Sequence, residues 1–115
     1  VTTPAPQPLD ATGSVTLNAS GYGTVTLTPP SFRTWRVSGI NVRTSQTTTQ
    51  TPVPQCTVYR GSLGGEVVAQ TWMGNRATAV GDLWVQPSQP LVIEWTGGIA
   101  ATTATVWLNG TIDMR

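Results

Sequence analysis

The sequence predicts an all-β domain: an antiparallel β-sandwich of about eight short strands behind an extended N-terminal arm. Three observations predict it. β-branched Thr, Val and Ile dominate runs in which apolar and polar residues alternate. Turn residues break these runs roughly every 8–12 residues. No segment keeps a helical period. The pattern suits a jelly-roll-like and an immunoglobulin-like sandwich equally and leaves strand order open. At 115 residues the chain is the size of one domain, divided here into an arm over 1–13 and a sandwich over 14–115.

The arm opens Val1, Thr2, Thr3, Pro4, Ala5, Pro6, Gln7, Pro8. Its three prolines in eight residues favour an extended, polyproline-like chain. Such a segment is either a tail or an assembly arm laid on a neighbouring subunit, pre-extended so that docking costs it less entropy. Val15 and Leu17 then share one strand face. Ala19 to Gly23 makes a turn, and Val25 and Leu27 alternate with Thr24, Thr26 and Thr28. This reads as a hairpin with a five-residue loop. Pro29-Pro30 ends the second strand.

Thr34 to Thr44 is the third strand. Trp35 and Val37 face one way, and Ile40 and Val42 resume in the other parity after Gly39, which predicts a bulge there. Ser45 to Thr51 is a polar loop and a candidate exposed tip. Cys56 to Arg60 is the fourth strand, Gly61 to Gly65 a turn, and Glu66 to Met73 the fifth strand. Gly74-Asn75 turns the chain into a short strand over Arg76 to Val80. Gly81-Asp82 leads to a segment with Leu83 and Val85, and Pro87 and Pro90 bracket a further turn. Leu91 to Thr96 is the clearest core strand, with Leu91, Ile93 and Trp95 inward. Gly97-Gly98 turns into the last strand, Thr102 to Gly110, with Ala104, Val106 and Leu108 inward.

Composition narrows the function. Charged residues are 10% of the chain, against roughly 25% in an average soluble protein, so Thr, Ser, Gln and Asn must build the surface. A surface with so little charge suits one partly covered by neighbours, including a possible homo-oligomer. The net charge is +1 and the six basic residues, all Arg, are scattered, so no nucleic acid partner is expected. No apolar run reaches the roughly 20 residues that span a bilayer, so no membrane partner is expected either. Val1 is compatible with a removed initiator Met or with a leader cleaved ahead of this numbering.

No catalytic, cofactor-binding or metal residues are assigned. The chain has no His, which removes the usual general base and the commonest metal ligand, and no Lys for a Schiff base. The acids Asp10, Glu66, Asp82, Glu94 and Asp113 are spread over arm, turns and strands. Glu66 and Glu94 could meet on one sheet face, but solvated or Arg-paired acids are the simpler reading. The lone Cys56 cannot form an internal disulfide and reads as a small buried apolar residue. Five Trp are the unusual feature. Trp35 and Trp95 fit the core. Trp107 alternates out of phase with Val106 and Leu108, and Trp72 and Trp84 sit near Gly-containing turns. These three are candidate interface or ligand aromatics: anchors for a protein partner, or stacking platforms for sugar rings.

Over Val53 to Gly110 the chain carries Cys56-Thr57-Val58-Tyr59-Arg60-Gly61, then Leu91-Val92-Ile93-Glu94-Trp95-Thr96-Gly97-Gly98, then Ala101-Thr102-Thr103-Ala104-Thr105-Val106-Trp107-Leu108-Asn109-Gly110. This half of the chain resembles the small β-sandwich structural proteins of actinobacterial tailed phages. Each shared motif is a strand, a turn and a Trp, with no chemical signature. The resemblance implies a non-enzymatic virion protein on the capsid surface or, less readily, in the tail. The form it favours for this chain is a capsid decoration or minor capsid protein that binds and stabilises the shell, with the major capsid protein or other virion subunits as partners. The other class is a tail or fibre adhesin domain, or a carbohydrate-binding module, using exposed Trp.

Overall fold

The computed structural model describes residues 7–45, 54–71 and 76–114, with the side chains of 69–71, 76–82 and 114 left aside. Eight strands fill these stretches: β1 (Gln7–Thr16), β2 (Gly23–Leu27), β3 (Arg33–Thr44), β4 (Gln55–Arg60), β5 (Glu66–Thr71), β6 (Arg76–Val85), β7 (Leu91–Thr96) and β8 (Thr103–Met114). They form two four-stranded antiparallel sheets, ordered β1-β8-β3-β6 and β2-β7-β4-β5.

The order has a simple logic. β1 pairs with β8, β2 with β7, β3 with β6 and β4 with β5. The chain is thus one long nested hairpin, closed by the Gly61–Gly65 turn and rolled so that successive pairs fall in opposite sheets. Rolling adds the pairs β8–β3 and β7–β4. This is the eight-stranded jelly roll, which settles the choice the strand pattern left open.

The inner faces meet as alternation predicts. Leu91, Ile93, Trp95, Ala104, Val106 and Leu108 are buried, as are Trp35, Val37, Ile40, Val42 and Val58. Cys56 is buried among them. The parity switch in β3 is real: its register shifts between Val37 and Gly39 against both neighbours. Against β8 Ser38 is the extra residue, whereas against β6 it faces two residues, Gly81 and Asp82, so there the extra residue lies on β6. The two short segments expected around Gly81 are therefore one continuous strand.

Two further expectations need correction. The first concerns β1 and β2, which are not a hairpin: they lie in opposite sheets, pairing with β8 and β7. Both have one apolar face, and that face serves equally for side-by-side pairing or for packing across the core. The link folds tightly over the edge. Asn18 Oδ1 accepts the Ser20 and Tyr22 amides at 2.9 and 3.1 Å. Gly21 takes φ 71° and its carbonyl accepts the Gly98 N–H at 3.0 Å. A Cβ on Gly21 would run into the Gly98 backbone, so only glycine lets the two links touch.

The second concerns the arm boundary. The strand starts at Gln7 rather than Ser14, so 7–13 belongs to the sheet. β8 runs on to Met114, and Gln7 to Gly13 pair with Ile112 to Val106. Leu9, Ala11, Gly13 and Val15 form one inward row, but Ala and Gly carry too little side chain to announce it.

Candidate functional site

The nested topology gathers the 28–32 link, the 61–65 turn, the 86–90 link and the start of β1 at one end of the sandwich. Backbone bonds tie these links together. Ser88 N–H donates to Pro29 O at 3.0 Å and Gly61 N–H to Pro90 O at 2.8 Å. The Arg60 guanidinium donates to Trp84 O at 2.8 Å and pairs with Glu66 at 2.7 Å. This end is therefore a braced platform.

Phe32 stands on it. Arg33 N–H donates to Pro30 O at 3.2 Å, closing a turn in which Phe32 is the third residue with φ 64°. A positive φ there is the type II requirement that glycine normally meets. For a bulky aromatic it costs roughly 1–2 kcal/mol. The ring gains little burial in return: Phe32 is 73% exposed, the most open of the large apolar residues among the described side chains. Leu63, at the tip of the neighbouring turn, is exposed too.

Pro30 and Arg33, the first and last residues of the Phe32 turn, line a groove of about 320 Å³ walled by Pro8, Leu9, Pro30, Trp35 and Ile112, with Gln7, Asp10, Ala11 and Arg33 also on its lining; Phe32 itself is not on the lining. Its size is at the lower bound for ligand pockets and suits a few inserted side chains. Phe32 sits between two of its wall residues, Pro30 and Arg33. Of the expected assembly arm, Gln7 and Pro8 thus form part of the groove, while Val1, Thr2, Thr3, Pro4, Ala5 and Pro6 lie outside the described residues.

The candidate tryptophans fall elsewhere. Trp72 lies outside the described residues. Trp84 and Trp107 share the outer face of the β1-β8-β3-β6 sheet. Trp84, 39% exposed, is directly opposite Arg36, whose guanidinium lies 5.3 Å from the ring centroid. Trp107 is half-buried, and Arg43, its diagonal neighbour on β3, lies 5.3 Å from its centroid. Each indole therefore already has a cation over one face, the geometry that a stacked sugar ring would need. Trp35 and Trp95 are buried as expected.

The outer face of the other sheet holds a second cluster. The Tyr22 hydroxyl donates to Glu94 Oε2 at 3.1 Å, and the Tyr59 hydroxyl to Oε1 at 3.2 Å. Desolvation at the sheet surface, and then the Glu94 carboxylate, hold both phenols above the ordinary tyrosine pKa. Glu94 is thus committed to two tyrosines and Glu66 to Arg60, so the two acids do not form a pair. Among the described residues no group of three or more His, Cys, Asp and Glu is placed to hold a metal. Ser45 extends the β3 ladder through bonds to Thr103; the rest of the expected 45–51 tip lies outside the described residues.

Sequence reading passed over Phe32. Its available signal was an aromatic between Pro29-Pro30 and a strand start, where a turn has no core to fill. The Tyr22–Glu94–Tyr59 cluster needs the β2–β7–β4 register, which the sequence does not display.

No family model matches the chain, and no curated protein matches it. Among solved structures, the periplasmic inhibitor of g-type lysozyme PliG from Aeromonas hydrophila is similar over 91% of this chain and 88% of that one, with 11% identity and a TM-score of 0.43. At that level the likeness says nothing about what this chain binds.

Proposed function

We propose that this chain is a non-enzymatic docking subunit that binds another protein through the platform around Phe32. One observation carries the reading: a strained, 73% exposed Phe on a braced loop end, in a turn whose Pro30 and Arg33 line a groove. Unfavourable backbone at an exposed aromatic brings the fold nothing, and such outliers concentrate where a partner is met. An aromatic anchor beside a groove is the usual centre of a protein interface.

The partner class comes from the sequence alone. The resemblance of Val53 to Gly110 to phage β-sandwich proteins points to a virion, and there to a shell subunit, with the chain as a capsid decoration or minor capsid protein. Fold-level analogy agrees, since jelly rolls recur in viral capsids, but they recur in lectins as well. The Arg side chains over Trp84 and Trp107 weigh against a sugar-stacking role. The deciding experiment is imaging of labelled chain on intact particles. Symmetric positions on the shell, lost in Phe32→Ala, support the reading; label at the tail tip, or none on the particle, ends it.

A further inference from the structure

The four edge strands of the sandwich are not alike. β2 has five residues. β5 and β6 each pair through a register shift. Short strands and bulges are the devices by which proteins keep sheet edges from pairing with other chains. β1 has neither: it runs ten residues in unbroken register along β8, with Asp10 as its one charge. Among the described residues it has a hydrogen-bonded neighbour on one side only.

Its open side can be read from the backbone. Leu17 N–H donates to Thr102 O at 2.9 Å, and Leu17 C=O accepts Ala101 N–H at 3.0 Å. Strand polar groups alternate in direction, so the odd-numbered residues of β1 turn toward β8. The even-numbered ones turn outward. Pro8, which has no N–H to offer, is even-numbered, as an edge proline should be. Asp10, Thr12, Ser14 and Thr16 therefore present their N–H and C=O groups to the open side.

We propose that β1 pairs with β1 of a second copy of this chain, antiparallel about a two-fold axis at Gly13, joining two four-stranded sheets into one of eight. This register is self-complementary. Asp10 faces Thr16 and Thr12 faces Ser14, so all four outward residues pair and the single charge meets a hydroxyl, not its copy. Pro8 falls outside the paired span. On the inner face Ala11 meets Val15, covering two residues that pack on the core yet remain only part-buried. At the axis, where the two chains face each other directly, Gly13 leaves no side chain to collide. The pairing is argued from the β1 edge and does not rest on the Phe32 platform, although Asp10 and Ala11 at one end of its span also line the groove there.

Sedimentation velocity on the purified chain at rising concentration tests it. A reversible dimer is expected, with Ser14→Pro raising its dissociation constant roughly thirtyfold, since each dimer loses two hydrogen bonds. Because the Ser14 N–H points outward, the variant keeps the monomer fold, read by circular dichroism. Register is tested by oxidising a mixture of Thr12→Cys and Ser14→Cys chains. The mixture is expected to crosslink across the 12–14 pair, and neither chain alone. A monomer at every concentration, a dimer indifferent to Ser14→Pro, or crosslinking of Thr12→Cys chains by themselves would overturn the proposal.

Discussion

The links on either side of β2 solve one problem in opposite ways. Both carry the chain from one sheet to the other, and both place a residue at positive φ. Before β2 that residue is Gly21, buried against Gly98 and fastened by the Asn18 side chain. After β2 it is Phe32, exposed in a turn whose Pro30 and Arg33 line a groove. The first link follows the conformational rule and closes the core. The second departs from it and puts an aromatic in solvent. Local rules tend to fail without a structural gain at functional sites, and the proposed docking at the Phe32 end rests on this difference.

The largest expected effect tests the Gly21 link. Gly21→Ala forces a Cβ into the Gly98 backbone at a positive φ, and its denaturation midpoint should fall by the equivalent of about 3 kcal/mol. A loss under about 1 kcal/mol would show that the link yields, and the contrast with Phe32 would weaken. Asn18→Ala removes the acceptor of two amides and should cost about 1 kcal/mol in the same assay. Phe32→Gly should go the other way, gaining about 0.5–1 kcal/mol as the turn relaxes, while partner binding is lost. A destabilised Phe32→Gly chain would mean that the ring supports the fold, and the contrast would fail.

The smallest effect is alkaline. Tyr22 leaves the Gly21 link and donates to Glu94, as does Tyr59. Their raised pKa values mean that the folded chain holds these protons more tightly than the unfolded one. That stabilisation is complete below the unfolded tyrosine value of about 10 and is lost as pH rises through the higher folded values. Melting temperature should therefore decline above that value, and less steeply in Tyr22→Phe with Tyr59→Phe. Identical slopes would remove Glu94 from the account.

Sequence alternation identified the buried rows Leu91-Ile93-Trp95 and Ala104-Val106-Leu108 and the bulge at Gly39, because parity is a local property of a strand. It did not distinguish a β1–β2 hairpin from a crossing between sheets, because partner choice is decided by β7 and β8, which lie from 64 residues (Leu27 to Leu91) to 105 residues (Gln7 to Ile112) away. The arm was drawn too long because Ala11 and Gly13 carry a faint apolar signal. Trp84 and Trp107 were rightly singled out as unlike Trp35 and Trp95, but the Arg36 and Arg43 side chains above them depend on cross-strand neighbours that the sequence hides. Phe32 escaped notice because attention to turns falls on Gly and Pro, and an aromatic in a glycine position becomes visible only once φ is known.

The central claim, docking through the Phe32 end, is tested most directly by cosedimentation of the purified chain with capsid shells, the proposed partner. Phe32→Ala and Trp107→Ala are measured beside the parent chain. The account predicts that the parent and Trp107→Ala bind alike and that Phe32→Ala binds at least about thirtyfold more weakly, the mark of a central anchor. Equal binding by Phe32→Ala, or no binding by the parent chain, would contradict it.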